Sequence, residues 1–230
     1  MRSDGILLVH KTAGLTSHDI VQVVRRKLGV RRVGHSGTLD PMAEGLLVLL
    51  VGGATKHQQA FQAHEKMYRG VLRLGTQTDT GDAMGTLVRD LPVPPLTESQ
   101  IAEVLASFRG AFVHTPPAFS AVKVRGRPAY WWARRQQPVT LRPRVVQLSE
   151  VALVGWTPET VTFRVRCSAG TYVRTLAEAM AERLGTVGHL SGLIRLQVGR
   201  WNVEEAKSFA WLQQAGAAEL AGALLPSPHG

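Results

Sequence analysis

The sequence predicts a mixed α/β protein, and three observations carry that expectation. Leu46-Leu47-Val48-Leu49-Leu50-Val51 is apolar at every position, which marks a strand buried on both faces. Val161, Phe163, Val165 and Cys167 alternate with Thr162, Arg164 and Arg166, the period-2 signature of a half-buried strand. Two stretches, starting at Thr16 and at Thr97, open with capping-box spacing and continue with apolar residues at helical period.

In chain order, Ile6 to Val9 reads as a short apolar strand. Thr16 and Asp19 then cap a helix whose stripe is Ile20, Val23, Val24 and Leu28, ended by Gly29. Arg25, Arg26, Lys27, Arg31 and Arg32 gather at and beyond its C-terminal end, a placement that suits either the helix dipole or phosphates. After the buried strand, Ala54 to Glu65 reads as a polar-faced helix. Met67 to Leu74 reads as a strand with Tyr68, Gly70, Leu72 and Leu74 on one face and Arg69 and Arg73 on the other. Residues 76–85 read as a turn-rich loop and 91–96 as a proline-rich connector. Thr97 and Gln100 cap the second helix, with Ile101, Val104, Leu105 and Phe108 inward and Gly110 at its end. Residues 115–130 form a stiff, basic, aromatic segment running into a short helix with Trp131, Trp132, Arg134 and Arg135. Those tryptophans suit either stacking on unstacked bases or packing in the core. Val145 to Val154 is another strand. Ser168 to Arg174 turns the alternating strand into a helix carrying Val173, Leu176, Ala177, Met180 and Leu184, ended by Gly185. Leu190 to Val198 reads as a strand containing Leu193 and Arg195, residues 204–214 as a last helix, and the Ala/Gly-rich tail past Gly216 as poorly determined. No internal repeat and no domain-scale linker interrupts the chain.

The stretch from Val33 to Leu46, Val-Gly-His-Ser-Gly-Thr-Leu-Asp-Pro-Met-Ala-Glu-Gly-Leu, stands apart. One acid, Asp40, lies between a glycine-broken turn and a proline that bars a helix before it. Gly34, Gly37 and Gly45 permit backbone shapes or close approaches that a side chain would block. Read alone, Asp40 is a turn residue capping its own backbone. Its surroundings of Gly, His, Ser and Thr point to a presented carboxylate with partners elsewhere.

With 230 residues the chain suffices for one large domain or two intimate subdomains. Hydrophobic residues make up 44% and the mean hydropathy is near zero, and no apolar run has bilayer-spanning length. The N-terminus shows no signal-peptide pattern, and a single cysteine, Cys167, excludes an internal disulfide and a cysteine-cluster metal site; the cytoplasm is the expected location. The 27 basic residues exceed the 17 acidic ones, giving a net charge of +10. The cations are mostly arginine and are spread through ordered-looking segments, which implies a folded surface for a polyanion, foremost nucleic acid. Lys11-Thr-Ala-Gly lacks the full phosphate-loop pattern, so a nucleotide hydrolase is rejected. Residues 76–85 lack EF-hand spacing, and His57 and His64 have no third ligand beside them, so both read as surface features and not as metal sites.

Five ordered blocks carry a resemblance to a known family. They are Lys11-Thr-Ala-Gly-Leu-Thr-Ser-His-Asp19, Gly34-His-Ser-Gly-Thr-Leu-Asp-Pro-Met-Ala-Glu-Gly45, Lys66-Met-Tyr68 with Gly75-x-x-Thr-x-Thr-Gly-Asp82, Thr115-Pro-Pro-Ala-Phe-Ser-Ala-Val-Lys123 and Gly170-Thr-Tyr-Val-Arg174. Together they resemble the TruB family of tRNA pseudouridine synthases over most of residues 5–200. The resemblance implies the pseudouridine synthase fold, a mixed, largely antiparallel central sheet flanked by helices with a catalytic cleft. It implies isomerisation of one uridine of the tRNA T loop, with no metal or organic cofactor. Residues 5–200 would be the catalytic domain and 201–230 a short helical extension, without the C-terminal PUA-type module usual in bacterial members. The family's Leu-x-Arg-Arg segment stands here as Leu193-Ile-Arg195-Leu.

Residue by residue, Asp40 matches the family's catalytic aspartate, Tyr68 the tyrosine that stacks on the target uracil, and Arg174 the arginine that pairs with the aspartate. His35 matches the histidine associated with extruding the nucleotide, Tyr172 and Leu193 match substrate-pocket positions, and Lys11 belongs to a structural and RNA-contacting turn. The implied partner is tRNA through its T stem-loop, bound by a monomer that contacts no membrane. Two rivals follow from the same residues: an RNA-binding or tRNA-folding protein on this scaffold without turnover as its main role, and a base-removing glycosylase.

Overall fold

The computed structural model describes residues 4–227. Strand β1 (Gly5–Lys11) leads through a turn into helix α1 (Ser17–Leu28), and then come strands β2 (Val33–His35) and β3 (Glu44–Val51). Helix α2 (Gln58–Ala63) precedes β4 (Lys66–Leu74), β5 (Thr76–Thr78) and β6 (Leu87–Asp90). Next are α3 (Glu98–Ala106), β7 (Gly110–His114), β8 (Lys123–Val124), β9 (Arg127–Pro128) and α4 (Ala129–Ala133). The long strands β10 (Arg144–Thr157) and β11 (Thr160–Cys167) feed α5 (Val173–Arg183) and β12 (Gly188–Val198). Strands β13 (Trp201–Asn202) and β14 (Lys207–Ser208) and helices α6 (Phe209–Gln214) and α7 (Ala217–Gly222) complete the order. The class is the mixed α/β, mostly antiparallel one that the sequence predicts. The chain forms two compact units, residues 1–68 with 193–230 and residues 69–192, and it passes between them inside β4 and inside β12.

In the first unit the strands run β14-β1-β3-β12, with β2 also on β3 and β13 on β12. Strand β3 explains its own composition. Leu47, Leu49 and Val51 pack with Leu7, Val9 and the α1 stripe Ile20, Val21 and Val24, while Leu46, Val48 and Leu50 pack with Ile6, Leu8, Phe61 and Trp201. Both faces are buried, so alternation vanishes and the strand reads as a continuous apolar run. Helix α1 starts with the expected capping box between Thr16 and Asp19 and ends at left-handed Gly29. Its C-terminal cations divide their work: Lys27 donates to the carbonyls of Gln213 and Ala215 at the end of α6, Arg25 donates to Val33, and Arg26, Arg31 and Arg32 are exposed.

In the second unit β4, β11, β10 and β7 are successive neighbours, with β10 antiparallel to both β11 and β7. Gly70 is required on β4 because a Cβ there would stand 2.5 Å from the Phe163 ring. Trp131 and Trp132 are half-buried at the β8–β9 hairpin: the Trp132 indole N–H donates to Val124, and the Arg135 guanidinium lies 3.7 Å from the Trp131 ring centroid. Neither tryptophan is a core residue in the full sense, and neither ring is bare.

Several expectations are corrected. The helix expected over 54–65 is a 3-10 turn, Gly52–His57, followed by the short α2, because β3 runs straight into two glycines with no side-chain cap. His64 packs edge-on against Phe61 and Trp201. The loop expected over 76–85 is flanked by the paired strands β5 and β6 and closed by Asp79, which accepts from the Thr86 amide. Helix α3 ends four residues before Gly110, which instead opens the unpredicted strand β7 with φ 101°. The last helix, expected over 204–214, is a 3-10 turn, β14 and α6 in succession. Past Gly216 the chain is ordered into α7, with Leu220 buried, and Leu225 exchanges backbone hydrogen bonds with Ile6.

Candidate active site

Asp40 sits half-buried in the loop between β2 and β3, and the backbone around it is held from several sides. The Ser36 amide donates to Val48. The Ser17 hydroxyl, at the start of α1, accepts from the Leu39 amide at 2.9 Å and donates to the Leu39 carbonyl at 3.3 Å. The Pro41 carbonyl accepts from the Gly14 amide at 2.9 Å and from Lys11 Nζ at 3.2 Å. The Ala43 amide closes the turn on the Asp40 carbonyl at 3.0 Å. Beneath the loop, Arg195 donates to the carbonyls of Leu46, Gly37 and Thr38. Each bond contributes roughly 0.5–1.5 kcal/mol, so displacing the loop breaks several at once. Gly45 makes the packing possible: its φ is +100°, and a Cβ would lie 2.3 Å from the Arg195 carbonyl oxygen, where β3 and β12 pair in parallel.

Lys11 is fully buried, and its ammonium donates to Thr12, Leu15 and Pro41. Burial is the main cause that lowers its pKa to about 8, against the opposing pull of Glu44 and Asp40. The structure therefore places Lys11 behind the loop, as a brace between the first turn and the acid's neighbour. His35 ends β2 with its Nδ1 accepting from the Gly37 amide, and burial, followed by the Arg195 charge, holds it below the ordinary histidine range. Tyr68 is buried on β4 with Gly70, Leu72 and Leu74 on the same face, as the alternation predicts. Leu193 and Arg195 share the buried face of β12.

Tyr172 and Arg174 belong to the second unit, at the start of α5. Tyr172 occupies the N-cap position, its carbonyl accepts from the Thr175 hydroxyl, and its ring lies 5.9 Å from that of His114. A cation in the first turn of a helix is disfavoured by the dipole, so Arg174 needs acceptors of its own. It is 3% exposed, and it donates to Thr80 O at 2.9 Å and Phe119 O at 2.8 Å, with Asp82 Oδ2 3.8 Å from its Nε. Asp82 is in turn fixed through Oδ1 by the Thr80 hydroxyl at 2.7 Å and the Met84 amide at 3.0 Å.

Asp82, Ser17 and Arg195 hold these segments through contacts that sequence reasoning did not foresee, although all three stand inside or beside segments it singled out. Nothing local tells that Ser17 reaches Leu39 or that Arg195 reaches Gly37. Among the described residues no three His, Cys, Asp or Glu side chains gather to hold a metal ion, and no helix is long and apolar enough to cross a membrane.

The chain is similar to known proteins over most of its length. Residues 25–173 match the family model described as TruB family pseudouridylate synthase, N-terminal domain. A protein called tRNA pseudouridine synthase B from Opitutus terrae is 42% identical over 223 residues, covering 97% of this chain and 92% of that protein. One of the same name from Syntrophus aciditrophicus is 45% identical over 205 residues, covering 89% and 65%. Among solved structures, a chain of a Cbf5-Nop10-Gar1 complex matches with a TM-score of 0.74 at 25% identity, over 98% of this chain and 60% of that one. The chain belongs to the TruB family of pseudouridylate synthases.

Proposed function

We propose that this protein isomerises uridine to pseudouridine in tRNA, acting as a monomer on the T stem-loop uridine at position 55, in the cytoplasm. Membership of the family carries the reaction type and the substrate class. The observation that carries the assignment to Asp40 is the loop itself: the one acid there is flanked on both sides by backbone groups held in hydrogen bonds, as a preorganised nucleophile requires. Residues 5–200 supply the chemistry in this reading.

The reaction breaks the N1 glycosidic bond, turns the detached uracil and rejoins it through C5, expelling the C5 hydrogen as a proton. The target nucleotide must first leave its stack, at a cost of a few kcal/mol. In this reading His35, held towards its neutral form, takes the vacated place, Tyr68 offers an aromatic face to the uracil, and Tyr172 and Leu193 keep the substrate-binding roles that the resemblance implies. Arg174 takes the role that the resemblance gives it, favouring the ionised carboxylate of Asp40. Lys11 acts through the loop, as a positioning residue.

The experiment is tritium release from tRNA labelled at uridine C5. Release that matches pseudouridine formation and disappears when the T-loop uridine is replaced by cytidine is the expected result. Folded protein that binds the tRNA without releasing tritium would overturn the synthase reading in favour of an RNA-binding protein. Free uracil in the mixture would identify a glycosylase. Sedimentation of the protein alone and with tRNA tests the monomer.

A further inference from the structure

We propose that Arg195 is a positioning residue for the reaction, a clamp across the neck of the Asp40 loop that sets where the carboxylate stands; this rests on the reading of Asp40 as nucleophile. The loop leaves β2 through Gly37 and Thr38 and enters β3 at Glu44, two residues before Leu46. One guanidinium holds both ends: Nη2 donates to Gly37 O at 3.1 Å, Nη1 to Thr38 O at 3.4 Å and Nε to Leu46 O at 2.7 Å. The planar fork of arginine suits this task, since three carbonyls in different directions require donors in fixed relative positions. The strand register sets its placement, because Arg195 pairs with Gly45 and the absent Cβ of Gly45 lets the backbones close.

Arg195 is 1% exposed, and among the described residues it has no ion pair. A buried charge solvated only by carbonyl dipoles is a costly way to brace a loop if bracing is all it does. Its field acts on the same neighbourhood: the Arg195 charge is one of the causes that hold both His35 and Lys11 towards their neutral forms. A field that disfavours cations favours an anion at Asp40. The clamp thus supplies position and potential together.

Arg195→Lys keeps the charge but loses the fork, while Arg195→Met loses both. In steady-state tritium release kcat is expected to fall about tenfold for the lysine variant and about 100-fold for methionine, because a displacement near 1 Å suffices for a loss of that size. KM for tRNA stays within about threefold, since the Arg195 side chain is buried. Amide hydrogen exchange gives the second readout: residues 36–43 exchange at least about tenfold faster in Arg195→Lys, while β1 and the middle of β3 keep their protection. Unchanged protection of 36–43, or kcat within twofold of the parent, overturns the proposal. Exchange is measured without substrate, so it decides the clamp even if the parent protein releases no tritium, an outcome that would sink the synthase reading instead. Should the methionine variant not fold, the lysine variant carries both measurements.

Discussion

The Asp40 loop and the start of α5 solve opposite problems with the same chemistry. Around Asp40, buried donors reach out to a loop: Lys11, Ser17 and Arg195 grip its carbonyls, and the acid rides on an immobilised main chain. At Arg174 the relation is reversed, since the loops supply the carbonyls of Thr80 and Phe119 and the carboxylate of Asp82 to hold one side chain. The first arrangement fixes an anion by its backbone; the second fixes a cation by its own donors. A carboxylate on a short side chain inherits the precision of its Cα, whereas an arginine, with a long flexible stem, must be fixed at its far end.

Asp40→Asn breaks the comparison most severely. On the proposed reading it removes the nucleophile while leaving the loop's anchors intact, so turnover falls at least about 1000-fold while tRNA binding stays within about threefold. Filter binding beside single-turnover kinetics measures both, and retained activity would return Asp40 to the status of a turn residue. Arg174→Met comes next: kcat falls about 100-fold, and the acceptors it leaves behind lower the unfolding free energy by about 3 kcal/mol in denaturant titration. A stability loss without a loss of kcat would make Arg174 purely structural.

Gly45→Ala sharpens the comparison from the side of the backbone. The new Cβ meets the Arg195 carbonyl at a positive φ, and we expect a loss of about 3 kcal/mol. Gly126→Ala, with φ +77° and open space around its Cβ, is the control for strain alone at about 1 kcal/mol. The last effect is that of Lys11, and it appears only with pH. Its folded pKa, about 8, lies below the ordinary 10.5, so below pH 8 both states hold the proton and the folded state bears the full desolvation penalty. Between pH 8 and 10.5 the unfolded chain binds more protons, and stability rises with pH by about 1 to 3 kcal/mol relative to Lys11→Met, levelling above that window. A urea midpoint difference that stays flat across the window would show that burial does not perturb the amine.

The local placement of the candidate residues was legible because its signals are local. The Asp40 loop stood out through glycines and a proline, Tyr68 through strand alternation, and Arg174 through its place at a strand-to-helix turn. The errors have local causes as well. Strands β2 and β7 span only Val33–His35 and Gly110–His114, too short for a period to register, and the apolar tail that forms α7 has little pattern beyond Leu220. The double-glycine start of the 52–57 turn denied α2 the cap that its expected length needed.

The sequence by itself determined the buried strand β3, the capped ends of α1 and α3, the acid in its glycine loop and the family to which the blocks belong. Only the tertiary structure decided that the chain folds into two compact units by crossing within β4 and β12, and which buried donor grips which carbonyl. The physical reason is range. Periodicity, caps and turn chemistry act over a few residues. The Ser17–Leu39 bonds bridge 22 positions and the Arg195–Gly37 bond 158, and such partners are chosen by helix packing and by strand register, which no window of the sequence contains.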